Sequence, residues 1–257
     1  MNERALMDLG YDPTTLTSEQ VMERLDQRVQ RLVEEVQQEA FFRAVIDPAM
    51  PVDTLREVLK EVYLEIALYQ EHIIEASIAL IGQMPRSLEV RLIEELLHHQ
   101  AEEFNHGEMA ISDYVGLGGD ETLARGKRMT PGAFGIAALR RMMVHLRDWP
   151  AWLGSLYVVE TSTPILTGLV KDSFRARGIP GRGLWFIDHH ATADLEHGDL
   201  LRGVLTDVIR AYPQAREGVL YGPEYYLQLY PVSAWRAAYH RATRLRVNAV
   251  QEAGLGV

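Results

Sequence analysis

Cysteine is absent from the 257 residues. That excludes disulfides, Fe–S clusters, Cys-ligated zinc and a thiol nucleophile. No run of 18 apolar residues occurs, so no segment reads as a membrane-spanning helix. Basic residues are in deficit: 26 Lys+Arg stand against 36 Asp+Glu, for a net charge of −10. Nucleic acid and an anionic membrane surface both want a basic face, so neither is an expected partner. Residues 1–20 are too polar for a signal peptide, and the expected location is the cytoplasm. Alternating apolar/polar runs flanked by turn dipeptides are missing, which leaves no sheet in the reading. No repeat, low-complexity tract or linker divides the chain, so one domain over 1–257 is expected.

What is present is helical spacing nearly everywhere. Val21, Leu25, Val29, Leu32 and Val36 recur at three and four, behind a helix start at Ser18, Gln20 and Glu23. A second helix is predicted from Asp53 to about Gly82, with Leu55, Leu59, Val62, Ile66, Tyr69 and Ile73 on its stripe. A third runs from Ser87 to Val115 and stops at Gly116, Gly118 and Gly119. Pro131 opens a fourth, ending near Asp148. Pro150 opens a fifth, to about Phe174. Residues 175–183 form a loop. The sixth helix spans Leu184 to Leu205, and one or two more occupy 208–250, interrupted by Pro213, Pro223 and Pro231. The expected fold is an all-α bundle of seven or so helices.

Three of these helices carry polar residues on the face that should be buried. On the third, Leu92, Leu96, His99, Glu103, His106 and Ala110 share one stripe. Burying an unpaired carboxylate costs several kcal/mol, roughly, so its middle needs a cation or a proton. Glu103 and His106 have the Glu-x-x-His spacing of di-iron bundles and point about 60° apart around the axis. The alternative is a solvated face, the reading for Glu94, Glu95, Glu102 and Glu108. On the sixth helix, Phe186, His190, Asp194, His197 and Leu201 form a similar stripe, with its three polar members within about 60° of arc. An exposed helix with internal His–Asp pairs is the alternative there. On the fifth, Glu160 is a lone carboxylate in the apolar run 153–170, with Pro164 four residues on. Pro164 leaves the Glu160 carbonyl without its helical partner, and a kink is expected. Arg140 or Arg141 could instead neutralise Glu160.

Mixed imidazole and carboxylate ligation suits iron or manganese. Six such residues exceed the need of one catalytic ion and suit two, with a carboxylate such as Glu160 shared. The ordered pattern resembles the haem-oxygenase-like di-iron oxidases and oxygenases over about 20–205: Glu-x-x-His, then Glu with Pro four later, then His-x3-Asp-x2-His. The resemblance implies a seven-helix haem-oxygenase-like bundle with Glu103, His106, Glu160, His190, Asp194 and His197 as metal ligands and, through the metal, catalytic residues. It implies two Fe(II), or Fe/Mn, with O2 as co-substrate. The implied reactions act on a small amino acid, amine or carboxylic acid, by N-oxygenation, desaturation or oxidative C–C or C–N cleavage, in a natural-product pathway. Glu65, Glu71 and His72 are candidates for a further ligand. An external electron donor and a second copy of the chain are further candidate partners. A cofactor-free oxidase or hydrolase on the same fold, and a non-catalytic helical interaction protein, are the alternatives.

Around this set, His99 is a candidate hydrogen-bond partner for a ligand, while His98 and His189 read as exposed. Tyr63, Tyr69 and Tyr157 are candidates to line a pocket. Arg175, Arg177 or Arg182 could clamp a carboxylate. The sixth helix, polar on its inner face, is expected to be ordered by metal.

Overall fold

A computed structural model describes residues 10–192 and 194–254, with side chains described for 10–192 and 196–244. Among the described residues every regular element is helical, as the spacing requires. The helices are α1 Ser18–Gln38, α2 Ala40–Ile46, α3 Val52–Ile81, α4 Val90–Glu103, α5 His106–Gly116, α6 Glu121–Gly126, α7 Pro131–Leu146, α8 Trp149–Ala176, α9 Trp185–His190, α10 Asp194–Ala211, α11 Arg216–Leu227 and α12 Val232–Gly254. No helix among the described residues is long and apolar enough to cross a membrane.

Local chemistry explains the boundaries. Thr17 caps α1 one residue before the expected start. Its hydroxyl accepts from the Gln20 N–H at 3.2 Å, and Gln20 Oε1 accepts from the Thr17 N–H at 2.9 Å. The five apolar residues of the α1 stripe are all buried. Thr130 and Asp148 cap α7 and α8 with a single side-chain bond each, accepting from the Ala133 and Ala151 N–H groups, with Pro131 and Pro150 in the first turns. α8 runs through Pro164 to Ala176. The hydroxyls of Thr163 and Thr167 donate to the carbonyls of Val159 and Thr163, both at 2.8 Å, around that interruption.

Two expected helices are broken. The third is split at Phe104–Asn105 into α4 and α5. The sixth is split after His190. Thr192 N–H there donates to His189 O at 3.1 Å, and the Thr192 hydroxyl donates back to Asp188 O and His189 O. A short i→i+3 bond with such a side chain closes the last turn of a helix instead of extending it. The short helices α2 and α6 lie outside the seven expected regions.

α8 is the central helix, packed against α11, α10 and α1, while α3 packs against α5, α7 and α12. The α8–α11 seam is a backbone contact. A Cβ on Gly154 would sit 1.9 Å from Val219 O, and one on Gly222 would sit 1.8 Å from Ala151 O. Only glycine permits that approach. The apolar core surrounds α8 with Trp152, Leu153 and Tyr157 fully buried. Glu160 lies just beyond these residues, on the stretch of α8 that faces the broken helices.

Candidate metal centre

Five of the six expected ligands meet in the interior. Glu103 ends α4, His106 starts α5, Glu160 sits midway along α8, His190 ends α9 and His197 lies in the first turn of α10. All five are buried, and so is His99. Their potential ligand atoms form two groups sharing Glu103: His99, Glu103, Glu160 and His197 in one, and Glu103, His106 and His190 in the other. Within each group these atoms lie within 4.8 Å of one another. His106 Nδ1 is 2.6 Å from Glu103 Oε2, and His190 Nε2 is 3.2 Å from His106 Nδ1. His197 Nδ1 lies 3.7 Å from Glu103 Oε1 and 3.6 Å from Glu160 Oε2. Asp194 opens α10, but its side chain lies outside the described residues.

The geometry corrects the single-helix argument. Glu103 and His106 are not on one continuous helix, nor are His190, Asp194 and His197. In each case a turn lies between them. The 60° arcs derived from unbroken helices therefore do not describe the site, and tertiary packing brings these side chains together.

Hydrogen bonds on the far sides of the rings fix their protons. His190 Nδ1–H donates to Phe186 O at 2.7 Å, so Nε2 carries the lone pair that faces the site. His197 Nε2–H donates to Glu102 Oε2 at 3.1 Å, which turns the Nδ1 lone pair inward. This is how metal-ligating histidines are oriented. Burial, reinforced by the charge of His106, pushes His190 down to about 3, so its ring is neutral at pH 7. Burial opposes the charge of Glu160, yet the His197 and His99 imidazoles beside it outweigh that and hold its carboxyl well below the usual range. His99 is raised: burial works against its charge, but the Glu160 carboxylate prevails. The Gln100 amide nitrogen donates to His99 Nδ1 at 2.8 Å, leaving Nε2–H directed at Glu160, 3.7 Å away. His99 thus faces Glu160 within the same donor group, its Nε2 without a hydrogen-bond partner.

The residues fit a metal. Glu103 Oε1 is buried without a hydrogen-bond partner, an expensive arrangement unless a cation completes it. Three inward imidazoles and two carboxylates, with no Lys or Arg forming an ion pair with either carboxylate among the described residues, make a donor set for iron or manganese. Arg140 points elsewhere, bonding Ser155 Oγ at 2.7 Å over the Tyr226 ring, and Arg141 pairs with Glu75. Neither neutralises Glu160 by contact. Glu65 is bound by Arg241 and by the Thr130 hydroxyl at 2.6 Å, and Glu71 and His72 line a separate surface groove. None of these three joins the cluster. Arg175 pairs with Asp188 at 2.6 Å, and Arg177 donates to the carbonyls of Val45 and Met50, so both serve structure and not a substrate clamp. Tyr69 packs against Tyr230, and the Tyr157 hydroxyl donates to Asp26 at 2.6 Å.

Two contributors were missed. Glu102, read as solvated, orients His197 from 95 positions away, a distance no helical pattern spans. Asp113 is fully buried and accepts N–H bonds from Trp185 at 3.0 Å and Phe186 at 2.7 Å. It therefore caps α9, and through Phe186 O it positions His190. Burial pushes Asp113 up to about 6 against those two bonds. The signal was available: Asp113 continues the step of three and four from Glu103, His106 and Ala110. His189 is also nearer than expected, edge-on to the His106 ring with centroids 5.3 Å apart.

Comparison with known proteins bears on this arrangement. Residues 60–230 match the family described as iron-containing redox enzyme. No curated protein matches the chain. A domain of unknown function with a heme oxygenase-like fold from Shewanella denitrificans OS217 superposes with a TM-score of 0.76 at 18% identity, over 88% of this chain and 94% of that one. A TenA homolog from Pseudomonas syringae pv. tomato DC3000 superposes with a TM-score of 0.60 at 11% identity, over 91% of this chain and 98% of that one. At such identities these likenesses concern the fold, which is heme oxygenase-like.

Proposed function

Because the chain belongs to the family of iron-containing redox enzymes, we propose that it is an O2-activating non-haem di-iron oxidase or oxygenase of a small amino acid, amine or carboxylic acid. The observation that carries this reading is the buried convergence of Glu103, His106, Glu160, His190 and His197 in two groups that share Glu103. In this reading these five residues and Asp194 hold two ions, Glu103 and Glu160 lying at the junction. Two iron(II) ions held there supply the binding and reduction of O2.

The chain's own residues do the rest. Phe186 O and Glu102 hold His190 and His197 in the tautomers that present lone pairs inward. His99 keeps Glu160 ionised by facing its carboxylate. The buried surroundings exclude water, which strengthens every charge interaction in the site. No part of this requires a thiol or a haem-type axial ligand.

Iron analysis and O2 uptake test the proposal. Anaerobic loading with Fe(II) is expected to give two irons per chain, and exposure to O2 is expected to consume O2 in a single turnover. Fewer than one tightly bound iron, or activity that survives chelation, would sink it and favour a cofactor-free reaction on the same fold.

A further inference from the structure

A pocket of about 100 Å³, open on one side, lies beside the centre and is lined by α2, α3, α8, α9 and α12. Its position follows from the helices that carry the metal-site residues. On α8, Glu160, Pro164 and Thr167 recur at four and three, so they share a face, and Thr167, Leu166 and Val170 line the cavity. Thr167 is seven residues, about 10 Å of helix, from Glu160. On α9, Phe186 and Ile187 line it one turn before His190. The Phe186 ring stacks on the His190 ring with centroids 3.8 Å apart and planes at 25°, so one aromatic ring separates the cavity from the centre.

The lining holds no charged residue. Its two hydroxyls are both engaged: Tyr63 donates to Gly183 O at 2.9 Å and Thr167 to Thr163 O at 2.8 Å. The Trp235 indole N–H is the lining's remaining donor, so an ammonium or guanidinium placed there would find no acceptor, and burying it would be costly. A hydrocarbon group would lose only water. Size sets the second limit. An apolar cavity of about 150 Å³ accepts benzene and stays dry without it. By that measure 100 Å³ accommodates about four carbons.

The geometry points to a substrate that carries a short aliphatic group of about four carbons, seated in this cavity, with its reactive end directed past Phe186 at the centre. This rests on the proposed function and narrows its substrate class. It disfavours amino acids with a second charged group, such as lysine.

Calorimetric titration with straight-chain alkanoates of two to ten carbons tests it, using the full chain both metal-free and anaerobically loaded with Fe(II), with iron stoichiometry measured in the same samples. Affinity is expected to rise about fourfold per methylene until about four tail carbons are buried, and then level off. 6-Aminohexanoate is expected to bind at least tenfold more weakly than hexanoate. Val170→Trp fills the cavity and is expected to abolish the chain-length dependence at unchanged iron content. Val58→Ala enlarges it and is expected to extend the rise by one or two carbons. Affinity independent of tail length, equal binding of 6-aminohexanoate, or an unchanged series in both variants would overturn the inference. If iron is bound and no tail dependence is seen, only this inference fails. If tail dependence appears in a chain that takes up no iron, only the iron reading fails.

Discussion

Two buried seams run along α8, and they are built on opposite principles. Toward α11 the backbones touch through Gly154 and Gly222, with room for no side chain between them. On its face toward α9 and α10 the same helix brings Glu160 together with His99, Glu103 and His197, with Glu103 Oε1 lacking a partner. The first seam is complete with the protein's own atoms. The second leaves one buried carboxylate oxygen, Glu103 Oε1, without a partner until a cation arrives. A fold can thus carry its stability on one face of a helix and reserve the other for chemistry.

The largest effect should come from breaking the complete seam. Gly222→Ala puts a Cβ into the Ala151 carbonyl and is expected to cost about 3 kcal/mol or more. Thermal melts should show the same loss with and without iron. Equal stability to wild type would mean that the seam slides apart freely.

The incomplete seam should respond to metal. Free Fe(II) at a hundredfold excess over its dissociation constant is expected to add about 2.7 kcal/mol. Amide hydrogen exchange should slow across residues 184–200 and stay constant across the α8–α11 seam. Equal protection of 184–200 in both states would refute a metal-ordered segment.

Glu102→Gln touches the centre only through His197 Nε2. It is expected to weaken Fe(II) affinity about 10- to 100-fold while leaving the metal-free melting temperature nearly unchanged. Unaltered affinity in a competition titration would remove Glu102 from the site.

The smallest effect is expected at Asp113. Asp113→Asn weakens the cap of α9 by about 1 kcal/mol at neutral pH. Because burial raises Asp113 to about 6 in the fold, the protonated form is favoured there. Its contribution is complete below the unfolded value of 3.8 and is lost as the pH rises through about 6. The stability of wild type relative to Asp113→Asn should therefore grow as the pH falls from about 7 to about 4. Parallel denaturation curves across that range would contradict the raised value.

Much of the fold and part of the site were legible because helices repeat at a short period. The α1 stripe, the prolines opening α7 and α8, and the wrong-face residues His99, Glu103 and His106 all follow from steps of three and four. What the period could not reveal were the interruptions. Only Asn105 and Gly107, each tolerated singly within a helix, mark the turn at Phe104–Asn105, and Thr192 closes α9 with a hydroxyl that a helix interior also tolerates. Short helices such as α2 and α6 are too brief to show a period. Asp113 was legible and missed, because the stripe was followed only as far as Ala110.

The sequence by itself determined an all-α chain, the absence of thiol chemistry and that Glu103, His106, Glu160, His190 and His197 would lie on buried faces. Those properties reside in residue type and short spacing. Only the tertiary structure decided which polar side chains meet, that Glu102 and Phe186 O set the imidazole tautomers, that Arg175 and Arg177 serve the scaffold, and that an uncharged cavity adjoins the centre. The Glu102–His197 and Arg177–Val45 contacts join residues 95 and 132 positions apart, and no local pattern carries information across such a separation.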